Sequence, residues 1–319
     1  MNDINVVKEI YEKFKTEVNK VIIGQEDIIE LIFAALLTKG HVLMEGVPGT
    51  AKTLLIKSIS HIIGCSFKRI QLTPDLMPSD IIGINIYDMK SGEFKIQQGP
   101  IFSDFVLADE INRAPAKTQS AMLEAMAERQ VTIEGHRITL PSIFTVLATQ
   151  NPLEYEGTYP LPEAQLDRFL FKLIIPYPSI ANETLLLQKF ESGFRSDEFE
   201  ETGIRTIIKP EVIAKCQEMV KQVKTKDEII NYIIEIVNIT RNWGNILTGG
   251  GPRSSIGLLI ASKAIALLDG RDFVTPDDVK KIVCPVLRHR IILKPETEIE
   301  GISPDQCLKT ILSQVKVPR

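Results

Sequence analysis

One segment of the sequence limits the possible folds more than any other: Gly46-Val47-Pro48-Gly49-Thr50-Ala51-Lys52-Thr53, which follows the apolar run His41-Val42-Leu43-Met44. This order predicts a strand, a turn that wraps phosphate groups and the first residues of a helix. In such a loop, backbone N–H groups surround the phosphates, an ammonium neutralises the β and γ charge, and a hydroxyl completes the Mg²⁺ shell. We therefore predict a nucleoside triphosphate site in which Lys52 and Thr53 fill the last two roles.

The segment departs from the usual G-x-x-x-x-G-K-[ST] pattern at one position, because Ala51 stands where the second glycine is expected. Alanine is the best helix former, so it is tolerated if this position already has helical backbone angles. It is harmful only if φ must be positive. We expect the helical conformation at Ala51.

Composition and charge place the chain among ordinary globular proteins. Its 319 residues are enough for two cores, with 44% hydrophobic and 24% charged residues. The apolar stretch at 28–37 is far shorter than the roughly 20 residues that a bilayer crossing needs. The first residues, Met1-Asn2-Asp3, do not form a basic-then-apolar leader, so we expect a cytoplasmic protein without a membrane span. A net charge of −4 argues against duplex DNA as the main partner, since phosphate neutralisation carries much of that affinity.

The order of apolar patterns predicts a three-layer α/β/α domain with a parallel sheet. Beyond the strand before the phosphate loop, strands are predicted at 67–72, 105–108, 142–149 and 169–175. Helices are predicted at 5–19, 26–38, 52–63 and 115–128. Two β-hairpins are predicted as insertions at 81–102 and 131–139.

The pattern changes after Pro176-Tyr177-Pro178. Helical patterns follow at 183–191, 210–223, 226–242 and 254–268, and Thr275 is the predicted cap of a helix that ends at 283. We found no comparable strand run in this part. The sequence therefore predicts an α/β nucleotide-binding domain at 1–177 and a smaller all-helical domain at 178–319.

The buried strand at 105–108 leads into Asp109-Glu110, and phosphoryl transfer needs carboxylates at such a strand end. We assign Asp109 to Mg²⁺ and Glu110 to the orientation and activation of the attacking water. The alternative is an acidic pair that caps the following helix. No C-x-x-C, H-x-x-x-H or H-E-x-x-H spacing occurs, so the sequence indicates no metal other than Mg²⁺.

Five motifs together resemble the MoxR family of AAA+ ATPases: G-V-P-G-T-A-K-T, F-V-L-A-D-E-I-N-R-A, L-A-T-Q-N-P, E-A-Q-L-D-R-F and G-P-R-S. The resemblance covers nearly the whole chain, and the family commonly carries A-K-T where Ala51 stands. It implies that Asn151 is a sensor that binds the γ-phosphate and the attacking water. It also implies that Arg168 is the arginine finger for a neighbouring subunit, and that Arg253 is a second sensor by which the helical lid touches the γ-phosphate.

Each of these roles has a structural alternative. Arg168 can pair with Asp167 or Glu163, and Arg113 or Arg129 can share or replace the finger role. Arg253 can be an exposed residue at a helix start, and Asn151 before Pro152 can be a turn former. The segment Ile22-Ile23-Gly24-Gln25 resembles the family's adenine-side entry, and the alternative is a plain helix entrance.

The resemblance also implies a function: Mg-ATP hydrolysis in a ring of identical subunits, typically six, that remodels a protein client, assists its maturation or inserts a metal into it. Family members often work with a protein that contains a von Willebrand factor A domain. In this branch the two hairpins correspond to inserts that face the pore or the upper surface of the ring, so they are candidates for contacting a client. Two other functions remain open, a nucleic-acid-stimulated motor and a nucleotide-gated scaffold with very slow turnover. A P-loop kinase fits poorly, because the sensors and the helical lid would then have no purpose.

Overall fold

The computed structural model describes residues 3–47, 49–152, 159–194 and 202–318. The strands in these ranges are β1 Val42–Glu45, β2 Phe67–Gln71, β3 Gly83–Asp88, β4 Glu93–Gln98, β5 Phe105–Asp109, β6 Gln130–Ile133, β7 His136–Thr139, β8 Thr145–Gln150, β9 Phe171–Ile174, β10 Ile246–Thr248 and β11 Ile292–Leu293. The helices are α1 Asp3–Val18, α2 Glu26–Leu37, α3 Lys52–Ile62, α4 Pro78–Ile82, α5 Ala116–Glu128, α6 Glu163–Leu166, α7 Ile180–Glu191, α8 Pro210–Gln222, α9 Asp227–Asn242, α10 Pro252–Leu268, α11 Pro276–Leu287, α12 Pro295–Ile299 and α13 Pro304–Gln314.

A five-stranded parallel sheet organises the first part of the chain, in the order β2-β5-β8-β1-β9. The strands β1, β5 and β8 are apolar runs that are buried almost throughout, as expected for strands covered on both faces. Because all five strands run in the same direction, their carboxyl ends meet at one edge. The phosphate loop follows β1 at that edge, and Asp109 lies there at the end of β5.

The first predicted hairpin is shorter than the sequence indicated. Residues Ile81 and Ile82 belong to α4, which begins at Pro78 and is capped by the Asp80 carboxylate accepting from the Met77 N–H at 2.8 Å. The hairpin itself begins at Gly83, whose φ is +99°. A Cβ atom there would lie 2.2 Å from the Gln97 carbonyl oxygen, so the strand entry needs glycine. The second hairpin, β6 and β7, turns at residues 134 and 135 as predicted.

The described residues after 177 are mainly helical, and they include two features that the sequence did not indicate: the antiparallel pair β10 and β11, and an isolated parallel bridge between Lys224 and Phe273. The helix that was expected to stop at 283 continues to Leu287 although Pro285 lies inside it. Val286 and Leu287 are fully buried, so packing supports the last turn where the proline removes a hydrogen bond. The helix α13 was also not predicted.

The largest apolar core joins the two parts of the chain. The helix α2 is buried along most of its length and packs against both α8 and α10. Phe14 and Phe33 lie with their ring centroids 4.5 Å apart in this core. The other face of the sheet packs on a second core beneath α5 and the two hairpins, in which Phe144 and Phe169 are fully buried.

Candidate functional site

The phosphate loop joins β1 to α3, and its backbone corrects the prediction for Ala51. The φ and ψ angles of Ala51 are 59° and 22°, in the left-handed region, so the helical prediction was wrong. The reason is that α3 begins one residue later, at Lys52, and the chain makes its last turn before the helix at Ala51. Gly49 also has a positive φ, of 84°. Thr50 closes the loop by donating its hydroxyl to the Val47 carbonyl at 3.0 Å, and Pro48 lies outside the described residues.

Lys52 is bound to its own loop. The ammonium donates to the carbonyl oxygens of Gly46 at 2.6 Å and Val47 at 2.9 Å. Burial lowers the pKa of Lys52 below its ordinary value, and the nearby carboxylates of Asp109 and Glu110 oppose that shift. A lysine with carbonyl partners inside the loop can exchange them for phosphate oxygens, which are the stronger, charged acceptors.

Asp109 and Glu110 lie together at the end of β5, in two different environments. The Asp109 carboxylate accepts from the Thr149 hydroxyl at 2.5 Å through one oxygen, and from the Arg69 guanidinium at 2.6 and 3.1 Å through the other. Glu110 has a φ of +57°, and its backbone N–H donates to the same Thr149 hydroxyl at 2.8 Å. The Thr149 hydroxyl of β8 therefore holds the backbone turn at Glu110, and because of this turn the Asp109 and Glu110 carboxylates point in different directions.

The Glu110 side chain has partners that the sequence did not indicate. Its Oε2 atom accepts from the Gln71 amide at 2.9 Å and lies 3.3 Å from the Arg113 guanidinium. Gln71 in turn accepts from Arg69 at 2.8 Å. The strand β2, which pairs with β5, therefore supplies two polar side chains that hold the two carboxylates.

The remaining cleft residues meet at one cavity of about 1500 Å³. Asn151, which follows β8 and is 8% exposed, lines this cavity together with Lys52, Thr53, Asp109 and Glu110. Gly24 and Gln25 line it at the entry to α2. The Gln25 amide donates to the Thr50 carbonyl at 3.2 Å, so this entry segment is tied directly to the phosphate loop.

The helix α7 forms another wall of the cavity, which the sequence did not predict. Asn182 lines it and packs on Gly24, where an added Cβ would lie 1.9 Å from the Asn182 amide nitrogen. Gly24 has a φ of +72°, so glycine is needed there for both backbone and space. Basic residues of α11, Lys280 and Lys281, also line the cavity.

The two arginines that the family resemblance singled out lie away from this lining. Arg168 is exposed, and within the described part of the chain it forms no ion pair with Asp167 or Glu163. Asp167 instead binds Arg253 at 3.3 Å and Arg290 at 2.8 Å. Arg253 is also exposed, at the first turn of α10.

The alternatives for the finger role differ in position. Arg129 donates to the carbonyl oxygens of Phe144 and Lys39, which precede β8 and β1 at the edge of the sheet opposite the phosphate loop. It therefore lies far from the carboxyl ends of the strands. Arg113 lies at the correct edge and is paired with Glu110.

The described residues contain neither a metal-binding cluster of side chains nor a membrane-spanning helix. No group of three or more His, Cys, Asp or Glu side chains in those ranges is arranged to hold a metal ion. Likewise, none of the helices that the structure describes is both long enough and apolar enough to cross a bilayer.

Comparison with known proteins assigns the family. Residues 41–171 match the model of the ATPase family associated with various cellular activities (AAA), and residues 240–311 match the AAA lid domain. The Chaperone MoxR1 of Mycobacterium tuberculosis is 41% identical, over 95% of this chain and 81% of that protein. The chain belongs to the MoxR family of AAA+ ATPases.

Two further comparisons give higher or similar identity over nearly the whole chain. The YeaC protein of Bacillus subtilis is 49% identical, over 94% of this chain and 92% of that protein. The crystal structure of a candidate ATPase from Cytophaga hutchinsonii superposes with a TM-score of 0.90 at 40% identity, covering 99% and 97% of the two chains. The predicted family, the α/β fold with a helical lid, and the ATPase activity are thus confirmed. We refer below to residues 240–311, which match the AAA lid domain, as the lid.

Proposed function

We propose that this MoxR-family ATPase hydrolyses Mg-ATP at sites shared between neighbouring protomers of a ring, six as the family resemblance implies. The observation that carries the proposal is the division of the site. Lys52, Glu110 and Asn151 line one cavity, whereas Arg168 and Arg253 lie outside its lining and are exposed. A second protomer can supply these two arginines to the phosphates from outside, where a planar guanidinium binds oxygens in a bidentate manner.

Within one protomer, Lys52 and the backbone N–H groups of Gly49 to Thr53, which line the cavity, bind the phosphates, and Gly24 with Gln25 borders the base. Thr53 and Asp109 fit Mg²⁺, because a hydroxyl and a carboxylate beside bound phosphates are the hard oxygen ligands that this ion prefers. When bound, Mg²⁺ neutralises charge on the transferred phosphoryl group. Glu110 orients and deprotonates the attacking water, and the Asn151 amide positions it without adding charge.

Replacing Glu110 tests the assignment of the base. We expect Glu110→Gln to bind ATP and to lose at least about 100-fold in phosphate release, the usual contribution of a positioned general base. Turnover equal to that of the wild type would reject the role. Gel filtration with and without ATP measures assembly separately from catalysis. If ATP drives assembly while the wild type and Glu110→Gln release phosphate at the same negligible rate, the protein is a nucleotide-gated scaffold.

Mixing variants tests the shared site. Arg168→Ala retains Lys52 and Glu110, so we expect it to bind ATP normally and to lose turnover, since arginine fingers contribute roughly 10³-fold or more. Lys52→Ala has the opposite defect. A mixture of the two should regain activity at interfaces that combine an intact cavity with an intact finger. Absence of complementation would move the finger role to Arg113, at the same edge of the sheet.

We propose further that the work done is chaperone-like: remodelling, maturation or metal insertion of a protein client, with a von Willebrand factor A domain protein as one candidate and the cytoplasm as the location. The relative from Mycobacterium tuberculosis bears the name chaperone. The hairpin of β3 and β4 supports a client contact, because Tyr87, Met89 and Phe94 are exposed on it. Phosphate release that rises with DNA and falls steeply with salt would instead favour a nucleic-acid motor.

A trapping experiment tests the client contact. Glu110→Gln with ATP should retain a client in a pull-down, and adding Met89→Ser, at the 91% exposed hairpin tip, should reduce the amount retained. Ile299→Ser in the lid is a matched control, since Ile299 is an equally exposed apolar residue at 86%. Equal loss for both variants would show that the hairpin has no special role.

A further inference from the structure

The short segment that carries Arg168 is fixed by one buried side chain of the lid. Arg290 lies in the turn between α11 and β11, and its side chain is only 5% exposed. Its Nε donates to the Asp167 carboxylate at 2.8 Å. Its two terminal nitrogens donate to the carbonyl oxygens of Phe169 at 2.7 Å, Leu170 at 3.1 Å and Asp167 at 3.4 Å.

These bonds hold the residues on both sides of Arg168, and none of them involves Arg168 itself. The carbonyl groups immediately before and after Arg168 both accept from Arg290, and the side chain of the preceding residue does so as well. His289 adds a ring nitrogen 3.0 Å from the Phe169 carbonyl. Arg290 also donates to the Val286 carbonyl of α11 at 2.5 Å, which ties the guanidinium to its own helix. The backbone position of Arg168 therefore follows the position of the α11–β11 turn.

We propose that Arg290 is the positioning residue for Arg168, through which the lid of one protomer governs ATP hydrolysis at the cavity of the next. The inference rests on the finger role proposed above for Arg168. A rigid mount matters because a finger that is displaced by about 1 Å loses much of its effect on the reaction. A flexible segment of exposed residues would not hold that position, whereas a buried guanidinium that binds four acceptors on it does.

The test compares Arg290→Gln with Arg271→Gln. Arg271 is a lid arginine of similar chemistry, which binds Asp278 at 2.6 and 2.7 Å and the Phe273 carbonyl at 3.1 Å, all within the lid. We expect Arg290→Gln to bind ATP within about twofold of the wild type and to lose about tenfold or more in turnover, since it displaces the finger and leaves the residues that line the cavity in place. Arg271→Gln should keep the turnover of the wild type.

Mixing experiments separate positioning from general damage. A protomer with a displaced finger and an intact cavity should regain activity with Lys52→Ala and should not do so with Arg168→Ala. Activity in the mixture with Arg168→Ala would overturn the proposal. So would the absence of activity in both mixtures when Arg290→Gln binds ATP normally. So would unchanged turnover in Arg290→Gln.

Two further measurements complete the design. If Arg290→Gln does not fold, Arg290→Lys keeps the buried charge beside Asp167 and loses the fork of carbonyl bonds, and it should give the same pairing pattern with a smaller loss. The mixture of Lys52→Ala with Arg168→Ala is the positive control. If this control mixture regains no activity, the finger role and this inference are both refuted. If the control regains activity but Arg290→Gln is not complemented by Lys52→Ala, or is complemented by Arg168→Ala, the inference alone is refuted.

Discussion

His41, at the start of the strand that leads to the phosphate loop, should make the protein sensitive to acid. The ring is 4% exposed, and both nitrogens have partners that suit the neutral form: Nδ1 accepts from the Val146 N–H at 2.9 Å, and Nε2 lies 3.2 Å from the Met126 carbonyl. Burial lowers the pKa of His41 to about 3, and the charge of Arg129 acts in the same direction.

The size of the stability loss follows from the difference between the pKa values of His41 in the folded and unfolded states. In the unfolded chain histidine takes up a proton near pH 6.5, whereas the folded protein resists it until about pH 3. The unfolded state therefore binds more protons as the pH falls, and stability decreases between these two values. At pH 5.0, relative to pH 7.5, the shift corresponds to a loss of about 2 kcal/mol in the free energy of unfolding.

Urea unfolding followed by far-UV circular dichroism at pH 7.5 and pH 5.0 measures this loss. His41→Gln replaces the ring with an amide that can accept from Val146 and donate to Met126 but does not titrate. We expect its stability to fall by about 2 kcal/mol less than that of the wild type over this interval. His136→Gln, at an exposed position of β7, is the control and should keep the pH dependence of the wild type. The same pH dependence in His41→Gln and the wild type would refute the reasoning.

Three other substitutions test the phosphate loop and its surroundings. Ala51→Val should lose about 2 kcal/mol or more in urea unfolding, because a β-branched residue fits the left-handed region poorly, whereas Ala51→Gly should change stability by less than about 1 kcal/mol. Arg69→Gln removes the cation from Asp109 and should lower the Mg²⁺ concentration for half-maximal binding to the ATP-loaded protein about threefold by calorimetry. Arg129→Ala frees two carbonyl groups and should cost about 2 kcal/mol in unfolding, while its mixture with Lys52→Ala shows no finger-type complementation.

The elements that the sequence predicted well are those whose pattern is local. The helices α2, α3 and α5 begin and end within one or two residues of prediction, because each apolar pattern has a clear break at its ends. The same holds for β5, whose unbroken apolar run is typical of a strand buried on both faces. Lys52, Asp109 and Glu110 line one cavity as the sequence predicted, because strand ends and glycine-rich turns have their own spacing, and their roles stay predictions.

Residues that reach the site from a neighbouring strand were missed. Arg69 and Gln71 lie two positions apart on the same face of β2, which a sequence alone presents as solvent-facing polar residues. Only the pairing of β2 with β5 brings them to Asp109 and Glu110, and strand order is not a local property. Arg290 was missed for the same reason, since more than 100 residues of chain separate it from the segment it binds.

Asp167 divides its two oxygens unequally between two lid arginines, and this inequality bears on how the site works. Its bond to Arg290 is 2.8 Å long and involves a side chain that is 5% exposed, whereas Arg253 lies at 3.3 Å and is 67% exposed. A solvent-exposed ion pair contributes only about 1 kcal/mol or less, so Arg253 can leave Asp167 for a phosphate at small cost. Breaking the buried pair leaves an uncompensated charge and is far more costly. In the shared site proposed above, the same carboxylate can therefore release Arg253 to a phosphate while its bond to Arg290 keeps Arg168 in place.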